Sequence, residues 1–421
     1  MASDVLELTL TTLVYGGEAM GRDSAGRAIF VPFGLPGERV RVRIIEERKH
    51  FARATLLEVL QPSPNRIPPR CQHFFDALRQ AEKPEAACGG CHYQHLAYAD
   101  QLSAKTEILR DQLTRIGKIP NPPVKPIVPS PVEWNYRNHV QFHLDEQGRL
   151  GFISSDRDVS NVLPVLECHL PQEALNALWP HLQFEPGMPL ERIGLRAGDE
   201  VMLVLEADSP HPPEVEIEAE ISVVHLNAEG DALVLAGDDH ILLEVLGRPF
   251  RVSAGSFFQV NTPMAEKMVQ HVLDLLPKQP IPTIFDVYCG VGLFSAFLAR
   301  RCERLIGIEL SPSACADFVV NLDEFENVEL YQASAEAVLP SLQVQPTLVL
   351  LDPPRAGLEK TALDALMALR PDAIVYVSCD PSTLARDLKR MLEYGYHLQQ
   401  VTPFDVFPQT YHIESISLLT R

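Results

Sequence analysis

The sequence predicts a multidomain α/β protein with a β-barrel at its amino terminus, a β-rich central domain and a parallel sheet covered by helices at its carboxyl terminus. Short apolar strands punctuated by glycine over residues 5–62 indicate the barrel. A proline-rich linker at residues 62–70 separates it from a stretch of further short strands. From residue 256 onward, apolar strands alternate with amphipathic helices, the pattern of a parallel sheet. The predicted domains are residues 1–62, 63–254 and 255–421.

Length and charge limit the possible functions. A chain of 421 residues can bury a sizeable core without disulfides, and its net charge of −20 disfavours nonspecific binding to nucleic acid. The longest apolar runs are too short to span a membrane, and the first ten residues lack the pattern of a secretory signal. We expect a cytoplasmic monomer that does not bind membranes. Because its net charge is negative, any RNA or other polyanion should bind to a local basic surface.

One strand of the predicted barrel separates charged from apolar side chains. Three arginines alternate with three aliphatic residues, and the period of two along a strand places the arginines on one face. Such a face suits contact with phosphates, whereas the alternative is a charged edge strand that discourages aggregation. The residues are Arg39, Arg41 and Arg43 on one face and Val40, Val42 and Ile44 on the other.

Four cysteines predict a metal site in the central domain. Cys88 and Cys91 are separated by two glycines, a spacing that lets both thiols bind one metal or cluster, and Cys71 and Cys168 complete the set. Four thiols suit either zinc or an iron-sulfur centre. Nearby histidines could replace one thiol, although packing is the commoner role of such residues. They are His73, His92, His95 and His169.

The remainder of the central domain is predicted to contain a helix and several strands. Residues 96–116 have helical composition and spacing, and we expect this helix to pack on the carboxy-terminal domain. Strands over residues 136–170 lead back to Cys168, so a metal there connects distant parts of the domain. The acidic stretch over residues 185–244 contains no recognisable chemistry, and its charge run EVEIEAE is typical of a solvated face.

A glycine loop follows the first strand of the parallel sheet. Gly290 and Gly292 allow the backbone to approach a ligand closely, but Ser295 stands where a dinucleotide fingerprint has its third glycine. The next strand ends in Glu309, 23 positions after Asp286, where an acid accepts hydrogen bonds from ribose hydroxyls. The pattern favours an adenosine ligand without phosphates, and the alternative for Glu309 is a helix-capping acid.

Several strands of this domain end in a residue capable of chemistry. Asp286, Glu309, Asp352 and Cys379 each fall at the carboxyl end of a predicted strand, the edge where open α/β sheets bind ligands. An antiparallel last strand that begins at this edge brings Glu414 near Cys379, although a surface position is the alternative for Glu414.

Cys379 is the candidate nucleophile. Asp380 and Pro381 after it are predicted to be the N-cap and first-turn proline of a helix, so the thiol lies beside a helix N-terminus. Unpaired amides and the helix dipole are expected to favour the thiolate. The alternative is a buried structural cysteine.

Five motifs taken in order resemble the RNA uracil-5-methyltransferase family. They are GSFFQVN (255–261), DVYCGVG (286–292), DPPRAG (352–357), SCDPSTLARDL (378–388) and FPQTYHIE (407–414). The resemblance covers nearly the whole chain and implies an OB-like TRAM barrel that binds RNA and a Rossmann-like domain that binds S-adenosylmethionine. In the cluster-bearing members, CGGCHYQH contributes to a [4Fe-4S] centre. One departure is the gap of 16 residues between Cys71 and Cys88, which is longer than is usual in the family.

The resemblance implies a role for each matching residue. Cys379 is the nucleophile that adds to C6 of uracil, and Glu414 is the base that later removes the proton from C5. The implied contacts to S-adenosylmethionine are Gln259, Tyr288, Glu309 and Asp352, and the implied ligands of the cluster are Cys71, Cys88, Cys91 and Cys168.

The implied function is methylation of C5 of a specific uridine in structured RNA, which must be flipped or unstacked because its C6 is hidden. Cluster-bearing relatives act mostly on large-subunit ribosomal RNA, so 23S rRNA is the expected target. The alternative target is the T-loop uridine of transfer RNA. From another class, the alternative is a noncatalytic iron-sulfur protein that binds RNA or senses redox state.

Overall fold

The computed structural model of the chain describes residues 5–75, 87–155, 161–209 and 211–421. Along the chain, a closed five-stranded barrel is followed by a seven-stranded sheet, a two-stranded hairpin and a second seven-stranded sheet. The predicted order of a barrel, a β-rich part and an α/β part is confirmed. The sequence between Cys71 and Cys88 that departs from the family pattern falls mostly outside the described residues.

The barrel closes in the strand order β1-β2-β3-β5-β4. Alternating aliphatic side chains fill its interior, and Leu10, Val31 and Val40 are almost fully buried. The proline-rich segment that follows is held against the barrel, because Arg66 forms a buried ion pair with Glu38 at 2.6 Å between Nε and Oε1. The strands are β1 (Val5–Leu13), β2 (Glu18–Arg22), β3 (Ala28–Pro32), β4 (Arg39–Glu47) and β5 (Phe51–Gln61).

Strand β4, which carries the arginines, has a neighbour on each side. It pairs with β1 and with β5, so the interpretation of this segment as an edge strand is wrong: closure of the barrel removes the edge. The predicted alternation is confirmed, with the valines buried and the arginines outward. Arg39 and Arg41 both pair with Glu7, and Arg41 also pairs with Glu58. These acids offset much of the positive charge of the face.

The central sheet has the strand order β12-β11-β10-β9-β6-β7-β8, and its neighbours are antiparallel except for the parallel pair β10 and β11. The acidic residues 214–220 are all exposed, as expected for a solvated charge run. A separate hairpin, β13-β14, packs its apolar face into the core of the carboxy-terminal domain. The elements are β6 (His139–Leu144), β7 (Leu150–Ile153), β8 (Val162–Pro164), α2 (Glu173–Leu178), β9 (Arg192–Ala197), β10 (Val201–Glu206), β11 (Ser222–Leu226), β12 (Ala232–Ala236), β13 (His240–Val245) and β14 (Arg248–Ser253).

The second seven-stranded sheet has the order β17-β16-β15-β18-β19-β21-β20, in which the first five strands are parallel and the last two form an antiparallel hairpin. Chain order reverses between β15 and β18, which creates a crevice at the carboxyl edge. Helices cover both faces and form two apolar cores. The elements are α3 (Thr262–Leu275), β15 (Ile281–Val287), α4 (Ser295–Leu298), β16 (Cys302–Glu309), α5 (Pro312–Asn321), β17 (Val328–Gln332), α6 (Ala335–Val338), β18 (Leu348–Leu351), α7 (Lys360–Leu369), β19 (Ala373–Ser378), α8 (Pro381–Glu393), β20 (His397–Phe404) and β21 (Glu414–Thr420).

Helix α1 (Tyr98–Arg115) lies against this second sheet although it precedes the central sheet in sequence. It packs beside α8, and its Leu109 and Leu113 belong to one of the two apolar cores of the α/β domain. The proline-rich segment after α1 then runs alongside β20 through two isolated bridges. Within the described ranges, no helix combines the length and apolar character needed to cross a bilayer.

Candidate active site

The predicted strand-end residues meet at the carboxyl edge of the parallel sheet. Asp286 is the second-to-last residue of β15, and Glu309 is the last residue of β16. Asp352 directly follows β18, and Cys379 directly follows β19. The electrostatic influence of Glu414, Asp286 and Glu309 on the pKa of Asp352 indicates that the acids lie close together. The sheet thus gathers residues from distant parts of the sequence into one crevice.

Glu414 lies opposite Cys379 because of the register of the last strand. In the antiparallel pair β19 and β21, Ser378 is paired with Ser415, so the next position outward joins Cys379 and Glu414. The predicted antiparallel strand that starts at this edge is therefore present. Glu414 is 7% exposed, which excludes the alternative of a surface acid.

The glycine loop leaves room for a ligand. Gly290 has φ +54°, and a Cβ atom built there meets no atom within 4 Å, so open space adjoins the loop. Tyr288 also has positive φ (+67°), a conformation that is costly for a non-glycine residue and concentrates at functional sites. Glu309 is held by the glycine loop and by the segment that leads into α5. Its carboxylate accepts hydrogen bonds from the amides of Gly290 at 2.9 Å and of Ser311 at 2.8 Å.

Asp286 has hydrogen-bonding capacity to spare. Its Oδ2 accepts a hydrogen bond from Ser295 Oγ at 2.6 Å, while its Oδ1 is buried and has no hydrogen-bond partner among the described residues. The pKa of Asp286 is raised to about 7, mainly by burial and also by the charge of Glu309. A buried polar atom without a partner is uncommon in native proteins and indicates that a ligand or water completes its bonding.

The carboxyl groups in the crevice repel one another. Burial holds the pKa of Asp352 well above its usual range, and the charges of Glu414, Asp286 and Glu309 raise it further. A positively charged ligand relieves this repulsion and stabilises the ionised carboxylates. The electrostatics of the crevice therefore favour a cationic ligand.

The thiol of Cys379 is not activated in the way that the helix N-terminus suggested. Its pKa is raised to about 12, mainly by burial and also by the charges of Glu414, Asp352 and Asp380, while Arg355 acts in the opposite direction. As predicted, Asp380 caps α8, and its carboxylate accepts hydrogen bonds from two amides of the first turn. The cap places a negative charge beside the thiol and occupies the free amides. Burial and the neighbouring carboxyl groups outweigh any effect of the helix end, so the expectation that the helix end favours the thiolate is wrong.

Glu414 combines burial with partial neutralisation. Its pKa is raised to about 7, because burial outweighs the opposing effect of the positive charges of Arg355 and Lys105. A carboxyl group with a pKa near neutral pH is suited to accept a proton in a catalytic step. Cys379 and Glu414 thus place a thiol and a carboxyl group together in one crevice.

Three further residues contribute to the site and were not identified from the sequence. Arg355, beside the DPP motif, acts electrostatically on both Cys379 and Glu414. Lys105 is fully buried on α1. A lysine on the apolar face of a predicted helix indicates a buried partner, and this was the one sign of Lys105 in the sequence. Tyr15 in the barrel donates a hydrogen bond to Asp380 Oδ2 at 3.0 Å, and nothing in the sequence connects residues so far apart.

Gln259, unlike the other predicted cofactor contacts, does not lie at the carboxyl end of a strand of the parallel sheet. It is buried in the segment before α3, where its backbone carbonyl accepts a hydrogen bond from Asn138 Nδ2 at 3.0 Å. In the described part of the chain its side chain forms no hydrogen bond to Tyr288, Glu309 or Asp352.

The four predicted metal-binding cysteines line a single cavity of about 330 Å³ beside the central sheet. The lining also includes Arg137, His73 and His169, whereas His92 and His95 are not among its described lining residues. Burial raises the pKa of each thiol, and that of Cys88 reaches about 12. Among the described residues, no group of three or more His, Cys, Asp or Glu side chains is arranged to hold a metal ion. The thiols share a cavity, but the predicted metal centre is not shown.

Comparison with known sequences identifies similar proteins along the whole chain. The sequence model of the family described as tRNA (Uracil-5-)-methyltransferase matches residues 220–421, and that of the TRAM domain matches residues 3–57. An uncharacterized RNA methyltransferase of Aquifex aeolicus is 36% identical over 100% of this chain and 99% of its own length. A second, from Thermosynechococcus vestitus, is 33% identical over 99% of this chain and 98% of its own length.

Comparison of structures gives the same fold. The crystal structure of Pyrococcus abyssi tRNA (uracil-54, C5)-methyltransferase in complex with S-adenosyl-L-homocysteine has a TM-score of 0.74 to this chain. The alignment covers 99% of this chain and 100% of that chain at 24% identity. The two proteins therefore share their architecture from the barrel to the last strand.

Proposed function

This chain belongs to the tRNA (uracil-5-)-methyltransferase family of RNA methyltransferases, and we propose that it methylates C5 of a uridine in structured RNA through a covalent adduct with Cys379. The observation that carries this proposal is the position of Glu414 opposite Cys379 at an edge crowded with carboxyl groups. The pair supplies the nucleophile and the base that methylation of an unactivated pyrimidine carbon requires.

The proposed site of S-adenosylmethionine is the crevice at the glycine loop. Its support is the open space at Gly290, the partnerless Oδ1 of Asp286 and the excess of negative charge. We assign Gln259, Tyr288, Glu309 and Asp352 as its contacts. When bound there, S-adenosylmethionine supplies an electrophilic methyl group on a positively charged sulfur. A positive charge near Cys379 acts in the same direction as Arg355 and favours the thiolate.

The residues of the chain carry the other steps. The thiolate of Cys379 adds to C6 of uracil, and the electrons of the C5–C6 double bond form an enolate over C5 and the C4 carbonyl, which makes C5 nucleophilic enough to accept the methyl group. The leaving group would be the neutral thioether of S-adenosylhomocysteine. Glu414 then removes the proton from C5, the double bond re-forms, and the C6–S bond breaks with sulfur leaving as the thiolate. Burial of Glu414 keeps its pKa high enough to accept this proton.

The proposed RNA target is a uridine in 23S rRNA, with a uridine of the transfer RNA T-loop as the alternative. The experiment is to delete the gene, map 5-methyluridine in ribosomal and transfer RNA, and restore the lost modification with purified protein and S-adenosylmethionine. Loss at one ribosomal position supports the first target, and loss at the T-loop supports the second. If no uridine loses its methyl group, or if the protein shows no saturable binding of S-adenosylmethionine, the proposed function is wrong.

The pKa of Glu414 leads to a prediction about the release step. The base must be ionised to accept the C5 proton, and its pKa of about 7 means that acid converts it to the inactive protonated form. We expect the rate of adduct breakdown to fall by about tenfold for each pH unit below 7 and to level off above it. Rapid quenching of the preformed adduct over a pH series measures this rate. Breakdown that is independent of pH from 5 to 8 contradicts this role.

We also propose that Cys71, Cys88, Cys91 and Cys168 hold a [4Fe-4S] cluster. The support is that all four thiols line one cavity whose volume far exceeds that of a single ion, with the cationic Arg137 beside them to offset thiolate charge. Such a cluster would act as a structural cross-link between the linker, the CGGC loop and the segment at Cys168, because methyl transfer requires no electron.

The cluster is tested by its colour and metal content. Protein purified without oxygen should be brown, with visible thiolate-to-iron absorption and about four irons per chain. Cys88→Ser should lose the colour and the iron, while Cys302→Ser, a buried cysteine in the α/β domain, should keep both. A colourless wild-type protein with one zinc per chain would overturn the assignment.

A further inference from the structure

Helix α1 presents a row of buried polar side chains to the active-site domain. Gln101, Lys105 and Gln112 are 1%, 0% and 6% exposed, and they lie on the same helix face as the apolar Ile108 and Leu109. Polar groups are buried at a cost unless they are hydrogen-bonded, so their partners are informative. The helix precedes residues 220–421, the part of the chain that the methyltransferase family model matches.

Gln101 joins α1 to the loop that leads into the base. Its Nε2 donates to Gln409 Oε1 at 2.9 Å, and its Oε1 accepts from the amide of Gln409 at 3.0 Å. The same Nε2 lies within hydrogen-bonding distance of the carbonyls of Tyr93 and Leu96 in the segment after the CGGC motif. Gln101 thus connects three segments at one buried point.

Lys105, one helical turn further, holds the start of the same loop. Its Nζ lies 2.5 Å from Asp405 Oδ1 and donates to the carbonyl of Phe407 at 3.0 Å. Both members of this ion pair are completely buried. A buried pair with one partner removed leaves an uncompensated charge, so this contact strongly constrains the backbone of the loop.

The loop is also held in a strained conformation. Gln409 has φ +69°, in the left-handed region that a non-glycine residue seldom adopts. Its carbonyl accepts hydrogen bonds from the amides of His92 at 2.9 Å and Tyr93 at 3.0 Å. Such a conformation persists only where the surroundings determine it, and here α1 and the CGGC segment provide those surroundings. Five residues after Gln409, the chain reaches Glu414.

We propose that Gln101 and Lys105 are positioning residues for the general base: they hold residues 405–413 so that the carboxyl group of Glu414 faces Cys379. The proposal rests on the function proposed above. Glu414 acts only after the methyl group is on C5, when it takes the C5 proton, the C5–C6 double bond re-forms and the C6–S bond releases the Cys379 thiolate. Loosening the loop therefore slows release of the product and leaves the formation of the adduct largely intact.

The experiment measures the covalent adduct between protein and RNA. Gln101→Met and Lys105→Met keep the length of each side chain and remove its hydrogen bonds. With labelled RNA and S-adenosylmethionine, we expect the fraction of RNA in an adduct that survives denaturing gels to rise on the order of tenfold, as turnover falls on the order of tenfold or more. Binding of S-adenosylmethionine should change by less than about twofold, since the hydrogen bonds of both residues go to other segments and not to the proposed cofactor contacts. Gln112→Met is the matched control on the same helix. The Gln112 side chain accepts a hydrogen bond from Ser382 on α8 and, among the described residues, forms none with the loop of residues 405–413, so the ratio of adduct to product should stay at the wild-type value.

Folding is controlled with two further variants. Lys105→Met leaves Asp405 buried without its partner, so Lys105→Met/Asp405→Asn removes both charges together. Gln101→Glu keeps an acceptor for the amide of Gln409 and loses only the donor. The proposal is overturned if any of these four variants is folded by circular dichroism but loses turnover without accumulating adduct. It is also overturned if all four retain full wild-type turnover. Failure of the proposed function is distinguishable, because the wild-type protein then makes no 5-methyluridine and Glu414→Gln traps no adduct.

Discussion

Replacing Cys379 by alanine is expected to abolish both the covalent adduct and the methylated product. The thiolate provides the bond to C6 without which C5 of uracil is too weak a nucleophile, so we expect turnover to fall on the order of 10⁴-fold or more. The measurement is transfer of a labelled methyl group to RNA, followed by nucleoside analysis for 5-methyluridine. The folded structure and binding of S-adenosylmethionine should be retained, because Cys379 is half-buried and the side chain becomes smaller.

The matched control for this variant is Cys302→Ala. Cys302 is also a buried cysteine of the parallel sheet, but it begins β16 and so lies at the amino edge, away from the crevice. We expect its turnover to remain within about threefold of wild type. Methylation that survives Cys379→Ala would rule out the covalent mechanism and with it the role of Glu414 as the base for release.

Replacing Glu414 by glutamine is expected to trap the methylated adduct. An amide of nearly the same shape cannot accept the C5 proton at neutral pH, so the C6–S bond forms but does not break at the normal rate. We expect turnover to fall about 10²- to 10⁴-fold, while a single round of methyl transfer still occurs. The adduct should appear as a shifted band on a denaturing gel that carries both labelled RNA and labelled methyl groups.

The control for this second variant is Glu393→Gln, an exposed acid at the end of α8. It should turn over like wild type and show no more adduct. A trapped adduct without a methyl group would place Glu414 before methyl transfer and would contradict its assignment as the base that removes the C5 proton. Normal turnover of Glu414→Gln would mean that another group, such as Asp352, removes that proton.

Local patterns in the sequence were sufficient for much of the site. The strands that end near Asp286, Glu309, Asp352 and Cys379 were predictable because apolar strands and amphipathic helices have distinct periods, and parallel strands share a carboxyl edge. The N-cap at Asp380 was predictable for the same local reason. The antiparallel last strand followed from the hairpin pattern, and its register brings Glu414 opposite Cys379.

Other features depend on which elements pack together, and periodicity contains no such information. The edge interpretation of β4 failed because barrel closure pairs both sides of the strand. The expected activation of Cys379 by its helix failed because burial and neighbouring carboxyl groups dominate its pKa, and those neighbours come from other strands. The convergence of the four cysteines on one cavity likewise depends on how the linker folds back on the central sheet.

The sequence by itself determined the family, the order of the domains and the nucleophile and base that we propose, because these follow from motifs whose residues are close together along the chain. Only the tertiary structure decided which residues surround them. Lys105 meets Asp405, and Gln101 meets Gln409, across about 300 positions of sequence. The physical reason is that burial and electrostatic interactions depend on distance in space. The packing of α1 against the α/β domain sets these distances, and local sequence patterns contain no information about them.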